Sequence, residues 1–310
     1  MGCRSVDDLD LSGRVAIVTG AGSGLGRAEA AALAAAGASV VVNDVAPSDV
    51  LDELPSGCAF VQGDVSDAAV ARSLVTTAVE RFGRLDVVVN NAGVVRDRML
   101  FTMSDDEWDL VIRVHLRGHF LLSRNAGAYW RAQSKDIGSP VYGRLINTTS
   151  EAWFLGAVAQ PNYAAAKAGI VSLTVAAARG LSRYGVRANA ICPRARTAMT
   201  EPVYGPAPSS GIDPLGVSQV TPLVVYLASP SSEQVNGQVF FVHGGMVAVL
   251  APPTVAAQFD AAGPEWTASE LADSLGEYFA DRGPDDVFSG RAISAVQRRA
   301  APGRASVTGG

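Results

Sequence analysis

Arg14-Val-Ala-Ile-Val-Thr-Gly20-Ala-Gly-Ser-Gly-Leu-Gly26, with the alanine-rich run that follows it to Ala36, decides the fold of this chain. Val15 to Val18 is short, apolar and rich in β-branched residues, as a buried strand requires, and it stops at Gly20. From Ser23 onward alanine and leucine take over, so the order is strand, glycine loop, helix. Glycines at such a junction let the backbone approach a pyrophosphate, and the helix N-terminus offers free N–H groups and the positive end of a dipole. A tight turn explains a glycine cluster nearly as well, so its meaning depends on what surrounds it. Asp44 ends the second apolar run, Ser39 to Asn43, 24 residues after Gly20. An acid there can bind ribose hydroxyls and repels a 2'-phosphate, which favours NAD over NADP. Arg27 offers the counter-reading, as a cation for that phosphate or as a solvated first-turn side chain. Asp64, after the third run, reads either as a turn and cap residue or as a hydrogen-bond partner of an adenine.

The same alternation continues along the chain. Strands are expected at 14–19, 39–43, 59–62, 85–89, 144–148, 185–191 and 237–242, each a short apolar run. Helices fall between them: 67–82 with Ser66 or Asp67 as N-cap, a long one over 105–133 in which Trp108, Val111, Ile112, His115 and Phe120 share a face, one through Tyr163 to about Tyr184, and 218–228. Strands that are apolar throughout and alternate with helices imply an α/β fold: a Rossmann-type, doubly wound, parallel seven-stranded sheet with helices on both faces. Ligands of such sheets sit beyond the carboxyl ends of the strands. Residues 197–216, broken by four prolines and three glycines, read as a substrate lid. The expected division is a dinucleotide-binding domain over 1–246 and a C-terminal extension over 247–310, with one helix at 269–280 and a disordered end.

Composition narrows the function. The 310 residues are 48% hydrophobic and 18% charged with a formal net charge of -5, a globular balance that argues against a dedicated nucleic-acid binder. No run of about 18 apolar residues suggests a membrane span. Gly2 and Cys3 hint at acylation, but Val6 breaks the myristoylation pattern, and no signal peptide is evident. Three scattered cysteines, Cys3, Cys58 and Cys192, suit a reducing cytoplasm and neither a disulfide framework nor a metal site.

A proton-handling stretch lies at Ser150-Glu-Ala-Trp-Phe-Leu-Gly-Ala-Val-Ala-Gln-Pro-Asn-Tyr163-Ala-Ala-Ala-Lys167. Tyr163 and Lys167, four apart on a helix, share a face, and the ammonium favours the phenolate. Bringing a tyrosine from about 10 to neutrality takes roughly 3 pH units, about 4 kcal/mol. Ser150, at the end of the fifth strand, can hold the oxygen being protonated. Spacing by itself fits equally an amphipathic helix with a buried tyrosine and a snorkelling lysine.

Thr19-Gly-Ala-Gly-Ser-Gly-Leu-Gly26, Asn90-Asn-Ala-Gly93, a serine 13 residues before Tyr163-Ala-Ala-Ala-Lys167, and Pro193 followed by Thr197 occur in this order over about 11–245. Together they resemble the short-chain dehydrogenase/reductase family. The resemblance implies Tyr163 as proton donor or acceptor, Lys167 on the nicotinamide ribose, and Ser150 on the substrate oxygen. It places a cofactor, NAD, against Gly20, Ser23, Gly24, Leu25, Gly26, Asp44, Asp64, Val65, Asn91, Ala92, Gly93, Tyr163, Lys167, Pro193 and Thr197, with no metal. It also implies a homodimer or homotetramer packed through the long helix and the Tyr163 helix.

Two positions depart from the family pattern. The asparagine usual in the long helix, which supports a proton relay from the lysine, is His115, and the glycine usual after Pro193 is Arg194. The segments Asn90 to Arg98, Asp106 to Gly118 and Gln160 to Lys167 are similar to the (3R)-hydroxyacyl-CoA dehydrogenase units of multifunctional enzymes of type 2 and their actinobacterial relatives. That likeness implies an acyl-CoA or steroid-like substrate, with a relay, structural or core role for His115. Arg96, Arg98, Arg194 and Arg196 are candidates for the phosphates of a CoA handle, or plain surface residues. Trp153, Phe154, Leu155 and Met199 are candidates for the acyl pocket, or core. A carrier-protein-linked 3-oxoacyl reductase, a free hydroxysteroid dehydrogenase and a catalytically silent dinucleotide-binding regulator are the competing readings. Asp44 speaks against the first and the intact Ser150, Tyr163 and Lys167 against the last.

Overall fold

The computed structural model describes residues 9–47, 49–283 and 286–289; Gly2, Cys3 and the end of the chain beyond 289 lie outside them. β1 (Val15–Thr19) leads through the glycine loop into α1 (Gly24–Ala35), followed by β2 (Ser39–Asp44), β3 (Ala59–Gln62), α2 (Ala68–Phe82) and β4 (Val87–Asn90). Next come α3 (Asp105–Ile112), α4 (Gly118–Ile137), β5 (Gly143–Thr148), the short α5 (Ala152–Leu155), α6 (Pro161–Leu181) and β6 (Val186–Pro193). The chain continues with α7 (Glu201–Tyr204), α8 (Thr221–Ala228), β7 (Val239–His243), β8 (Met246–Val249) and α9 (Ala268–Phe279).

One sheet holds the strands in the order β3-β2-β1-β4-β5-β6-β7-β8. β1 pairs in parallel with β2 on one side and with β4 on the other, so the strand order reverses there and a crevice opens above the carboxyl ends. The expected seven-stranded parallel sheet is corrected to eight strands, of which β8 runs antiparallel to β7. Gly244 and Gly245, at φ 53° and 79°, form the two-residue turn between His243 and Met246. Two successive left-handed residues are the geometry that folds a strand back on its neighbour. The sheet therefore runs on to Val249, past residue 246.

Side chains alternate across each strand and build two layers. Ala16, Val18, Val40, Val42, Val87 and Val89 pack with Leu33 of α1 and Leu227 of α8 on one face. Val15, Ile17, Val41 and Val88 pack with Leu74, Leu122, Trp130 and Ala178 on the other. Each large apolar side chain so buried contributes about 1.5–3 kcal/mol.

The long helix expected over 105–133 is two helices. Ser104 and Glu107 form a capping box that starts α3, and Arg113–Arg117 make a π-helical turn before α4. The wider turn shifts the helical phase, so Val111 and His115 are buried while Trp108 and Phe120 stay 37% and 42% exposed. Asp67 caps α2 as expected, accepting from the N–H of Ala69. The stretch Pro161–Tyr184 is long and apolar enough to cross a bilayer by composition, but it packs on β5 and β6 and buries Asn162, Lys167 and Thr174.

Candidate active site

The loop from β1 to α1 is built by close approach. A Cβ at Gly20 would lie 2.8 Å from Ala92 Cα, and one at Gly26 would lie 2.3 Å from the carbonyl oxygen of Gly20. Gly20 and Gly24 also hold positive φ, 65° and 55°. These contacts press the loop against Asn91 and Ala92, whose N–H groups donate to Thr19 Oγ1 at 3.0 and 3.2 Å, while Asn91 Nδ2 donates to the carbonyl of Thr19 at 3.1 Å. Ser23 stands at the N-cap of α1 without a side-chain cap, and Ser23, Gly24 and Leu25 line the crevice, so the positive end of the helix faces it. Asp44 Oδ2 accepts from the N–H of Gly22 at 2.9 Å, and a Cβ at Gly22 would strike that carboxylate. A glycine cradle, an open helix end and an acid beside them fit the pyrophosphate and ribose of a dinucleotide.

Arg27 reaches the cradle, its Nη1 donating to the carbonyl of Gly22 at 3.3 Å, but it is neutralised by two carboxylates. Its Nε donates to Glu53 at 2.7 Å and its Nη1 to Asp49 at 2.8 Å. Asp64 Oδ1 accepts from the N–H of Ser66 at 2.8 Å, the turn role, and the residue also lines the crevice.

β5 and α6 bring the proton-handling residues to the same place. A cleft of about 510 Å³ is lined by Ser150, Tyr163, Lys167 and His115 together with Gly20, Ser23, Gly24, Leu25, Asp44, Asp64, Val65, Asn91, Ala92, Gly93, Pro193 and Thr197. Gly26 lies beneath it, against Gly20. Lys167 Nζ stands 5.3 Å from the centre of the Tyr163 ring and donates to the carbonyl of Thr148 at 2.6 Å. Both groups are deeply buried, and burial disfavours whichever form is charged. It pushes Tyr163 up to about 12, against a hydrogen bond from Ser150 that pulls the other way. Lys167 is pushed down to about 7. The expected lowering of the tyrosine by its lysine is thus outweighed here: desolvation dominates, and near neutrality the phenol keeps its proton.

His115 is 1% exposed. Its Nε2 meets the backbone of Val94, 3.0 Å from the N–H and 2.7 Å from the carbonyl, and its ring stands edge-on to Tyr163 at 5.1 Å and 87°. Gly93 makes this possible, since a Cβ there would lie 2.2 Å from His115 Cε1. Burial first and the charge of Lys167 second hold the imidazole well below its ordinary value, so it is neutral.

The short chain dehydrogenase family model matches residues 14–205. The chain belongs to the short-chain dehydrogenases. It is an oxidoreductase acting on CH–OH groups and uses a nicotinamide dinucleotide. This short-chain dehydrogenase is 56% identical over 301 residues to hydroxyacyl-CoA dehydrogenase ChsB1 of Mycobacterium tuberculosis, covering 92% of this chain and 95% of that one. It is 38% identical over 254 residues to peroxisomal multifunctional enzyme type 2 of Mus musculus, covering 78% of this chain and 33% of that longer protein. The crystal structure of a short chain dehydrogenase from Mycobacterium avium is similar at a TM-score of 0.79 and 42% identity, over 90% of this chain and 99% of that one.

Several expectations are revised by the contacts of the dehydrogenase. Trp153, Phe154 and Leu155 pack with Cys192 and Phe241 beside the cleft and do not line it, because the short α5 turns them onto β6 and β7; Met199 does line it. Arg194 pairs with Glu151, Arg196 with Asp213 and Arg98 with Glu107. Arg96 lines the cleft, with its Nη1 on the carbonyl of Val95. Thr19, Thr149 and Asn162 are supporting residues absent from the sequence-based set. Thr149 Oγ1 donates to the carbonyl of Lys167 at 2.9 Å. Buried Asn162 donates to the carbonyls of Arg96 and Glu107, both at 3.1 Å, and accepts from the N–H of Tyr163 at 2.7 Å. Polar residues beside Ser150 and Tyr163 were the available signal, but the partner of Thr149 lies 18 residues away in the chain and the carbonyls that Asn162 meets lie 55 and 66 away.

Proposed function

We propose that this short-chain dehydrogenase oxidises the hydroxyl of a 3-hydroxyacyl-CoA thioester with NAD as acceptor, with Tyr163 as general base. The observation that carries the reading is the convergence of Ser150, Tyr163 and Lys167 on one cleft with the glycine cradle and Asp44. NAD is supported by the Asp44 carboxylate at the cradle and by the engagement of Arg27 with Asp49 and Glu53, which withdraws a cation from any 2'-phosphate. The 3-hydroxyacyl-CoA class is supported by the name of the relative that is 56% identical. Leu110, Val114 and Met199 supply apolar wall for an acyl chain, and Arg96 a cation for the handle.

The nicotinamide, when bound, takes up the hydride. Everything else falls to the protein. Between about 7 and about 12, Tyr163 and Lys167 hold one proton between them. With that proton on Lys167, the phenolate can accept the proton of the alcohol; with it on Tyr163, the phenol can return a proton to a developing alkoxide. Ser150, hydrogen-bonded to Tyr163, donates to the same oxygen and fixes its place. His115 braces the ring of Tyr163 and the Gly93–Val94 backbone, which keeps the phenol at one depth in the cleft. Self-association as a dimer or tetramer and a cytoplasmic setting belong to the same reading. The outward Phe120 of α4 and Val175 of α6, 42% and 38% exposed, support the first; free, buried Cys58 and Cys192 support the second.

The test is a panel of 3-hydroxyacyl-CoA thioesters, some with steroid-borne side chains, free hydroxysteroids and simple alcohols, followed by absorbance of the reduced nicotinamide with NAD and NADP in parallel. Tyr163→Phe is expected to lower kcat by at least about 100-fold with cofactor binding retained. Full activity of that variant, or turnover of simple alcohols in preference to thioesters, would sink the assignment.

A further inference from the structure

Where the family pattern has glycine after Pro193, this chain has Arg194, and the residue after Ser150 is Glu151. The two meet face to face. Arg194 Nε donates to Glu151 Oε1 at 2.7 Å and Nη2 to Oε2 at 2.5 Å, a two-pronged pair. Both side chains are 19% exposed, so the pair is shielded from solvent on most sides. The guanidinium lies over Phe241, its central carbon 4.9 Å from the ring centre, and Phe241 is fully buried in β7. The Arg194 backbone is also anchored, its N–H donating to the carbonyl of Val242 at 3.0 Å.

Glu151 is held at both ends. Its carboxylate is gripped by Arg194, while its carbonyl accepts from the N–H groups of Phe154 and Leu155, which opens α5. Ser150 stands between β5 and that helix, with its Oγ accepting from the N–H of Ala152 at 3.3 Å. The Ser150 loop is therefore tied across β6 and β7 by one planar fork seated on an aromatic ring. A fork of this kind fixes distance and orientation together, which a lysine at the same place cannot do.

We propose that Arg194 is a positioning residue acting through Glu151: the pair sets where the Ser150 hydroxyl stands relative to Tyr163. This rests on the reading of Ser150 as the residue that holds the substrate oxygen. The cost of a small misplacement is large in rate, since displacing a reacting group by about 1 Å costs on the order of 100-fold. It is small in cofactor binding, because the pair touches none of the glycine cradle. The pairing also removes Arg194 from the candidates for a phosphate of the substrate.

The experiment is a double-mutant cycle on the full-length protein with Arg194→Gly, Glu151→Gln and the double variant, plus Arg194→Lys, Ser150→Ala and Ser150→Ala combined with Arg194→Gly. Steady-state kcat and KM are measured at saturating NAD, NADH binding by fluorescence titration, and folding by circular dichroism melting. Arg194→Gly and Glu151→Gln are each expected to lower kcat by about 10- to 100-fold with NADH affinity held within about twofold, and the double variant to be no worse than the poorer single. Arg194→Lys recovers part of the loss if it folds as the parent does, and Arg194→Gly adds nothing in the Ser150→Ala background. Arg194→Gly with kcat within about twofold of the parent, or losses that multiply in the double variant or in the Ser150→Ala background, overturns the proposal. Should Arg194→Gly fail to fold, Glu151→Gln and Arg194→Lys decide by the same kcat criterion. If Ser150→Ala itself leaves kcat unchanged, both this proposal and the reading of the site fall; if it abolishes turnover while Arg194→Gly does not, this proposal falls alone.

Discussion

Glu29→Gln is expected to reshape the pH dependence of stability. Glu29 lies on the inward face of α1, fully buried, and both its carboxylate oxygens lack a hydrogen-bond partner among the described residues. Burial alone raises it from 4.5 to about 8. In the unfolded chain the carboxyl ionises through its ordinary range; in the folded chain it must keep its proton until about 8. The sign follows from the raised value. The ionisation penalty is absent well below 4.5, and stability falls as pH rises from there until the folded carboxyl itself ionises. The gap amounts to about 3 kcal/mol at neutrality and about 5 kcal/mol on the alkaline side, a large part of the 5–15 kcal/mol that holds a typical domain folded. Glutamine cannot titrate, and its own unpaired amide costs about 1–3 kcal/mol at every pH. The absolute stabilities of the two proteins can therefore cross, and their difference as a function of pH carries the information. Urea unfolding followed by tryptophan fluorescence, at one protein concentration and from about pH 5 to about pH 8, measures it. The parent is expected to lose stability relative to the variant by about 1 kcal/mol or slightly more for each pH unit. A difference constant within about 0.5 kcal/mol over that range would refute the reasoning.

Three further outcomes test the site. Oxidation, measured as kcat/KM, should rise with one-proton slope through about 7, because below it both Lys167 and Tyr163 are protonated and no base remains; Lys167→Met should move that rise alkaline by at least about two pH units, and an unmoved profile would remove Lys167 from the pair. Asp44→Ser should cut kcat/KM for NAD by about 10-fold and raise it for NADP by about as much, further when Asp49→Asn and Glu53→Gln release Arg27; unchanged cofactor preference in the triple variant would assign selectivity elsewhere. Arg96→Ala should raise KM for a CoA thioester by about 5- to 20-fold and leave a short thioester lacking the nucleotide within about twofold; equal effects on both would take Arg96 out of contact with the handle.

Most elements were legible in the sequence because each is written in a local period. The runs at 15–19, 39–44 and 59–62 are apolar throughout, and helix α2 carries its own cap in Asp67. Even β8 has a local signal, since Gly244 and Gly245 stand between two apolar runs, but only the pairing with β7 distinguishes the second run from the tail. The π-helical turn at Arg113–Arg117 had no such signal, because it depends on where His115 meets Val94 and Tyr163.

Spacing along the chain determined that Gly20, Asp44, Ser150, Tyr163 and Lys167 reach one end of a doubly wound sheet, since in such a sheet every strand end faces the same crevice. What the side chains do there was decided by tertiary contacts. Arg27 is spent on Asp49 and Glu53, Arg194 on Glu151 and Arg196 on Asp213, pairings between segments that no local pattern links. Protonation was decided the same way. Lys167 beside Tyr163 reads in sequence as a cation lowering a phenol, but burial, a property of the assembled layers, acts on both and leaves the proton on Tyr163 near neutrality. Residue order carries the identity of the groups; the dielectric and the partners around them exist only once the chain has packed.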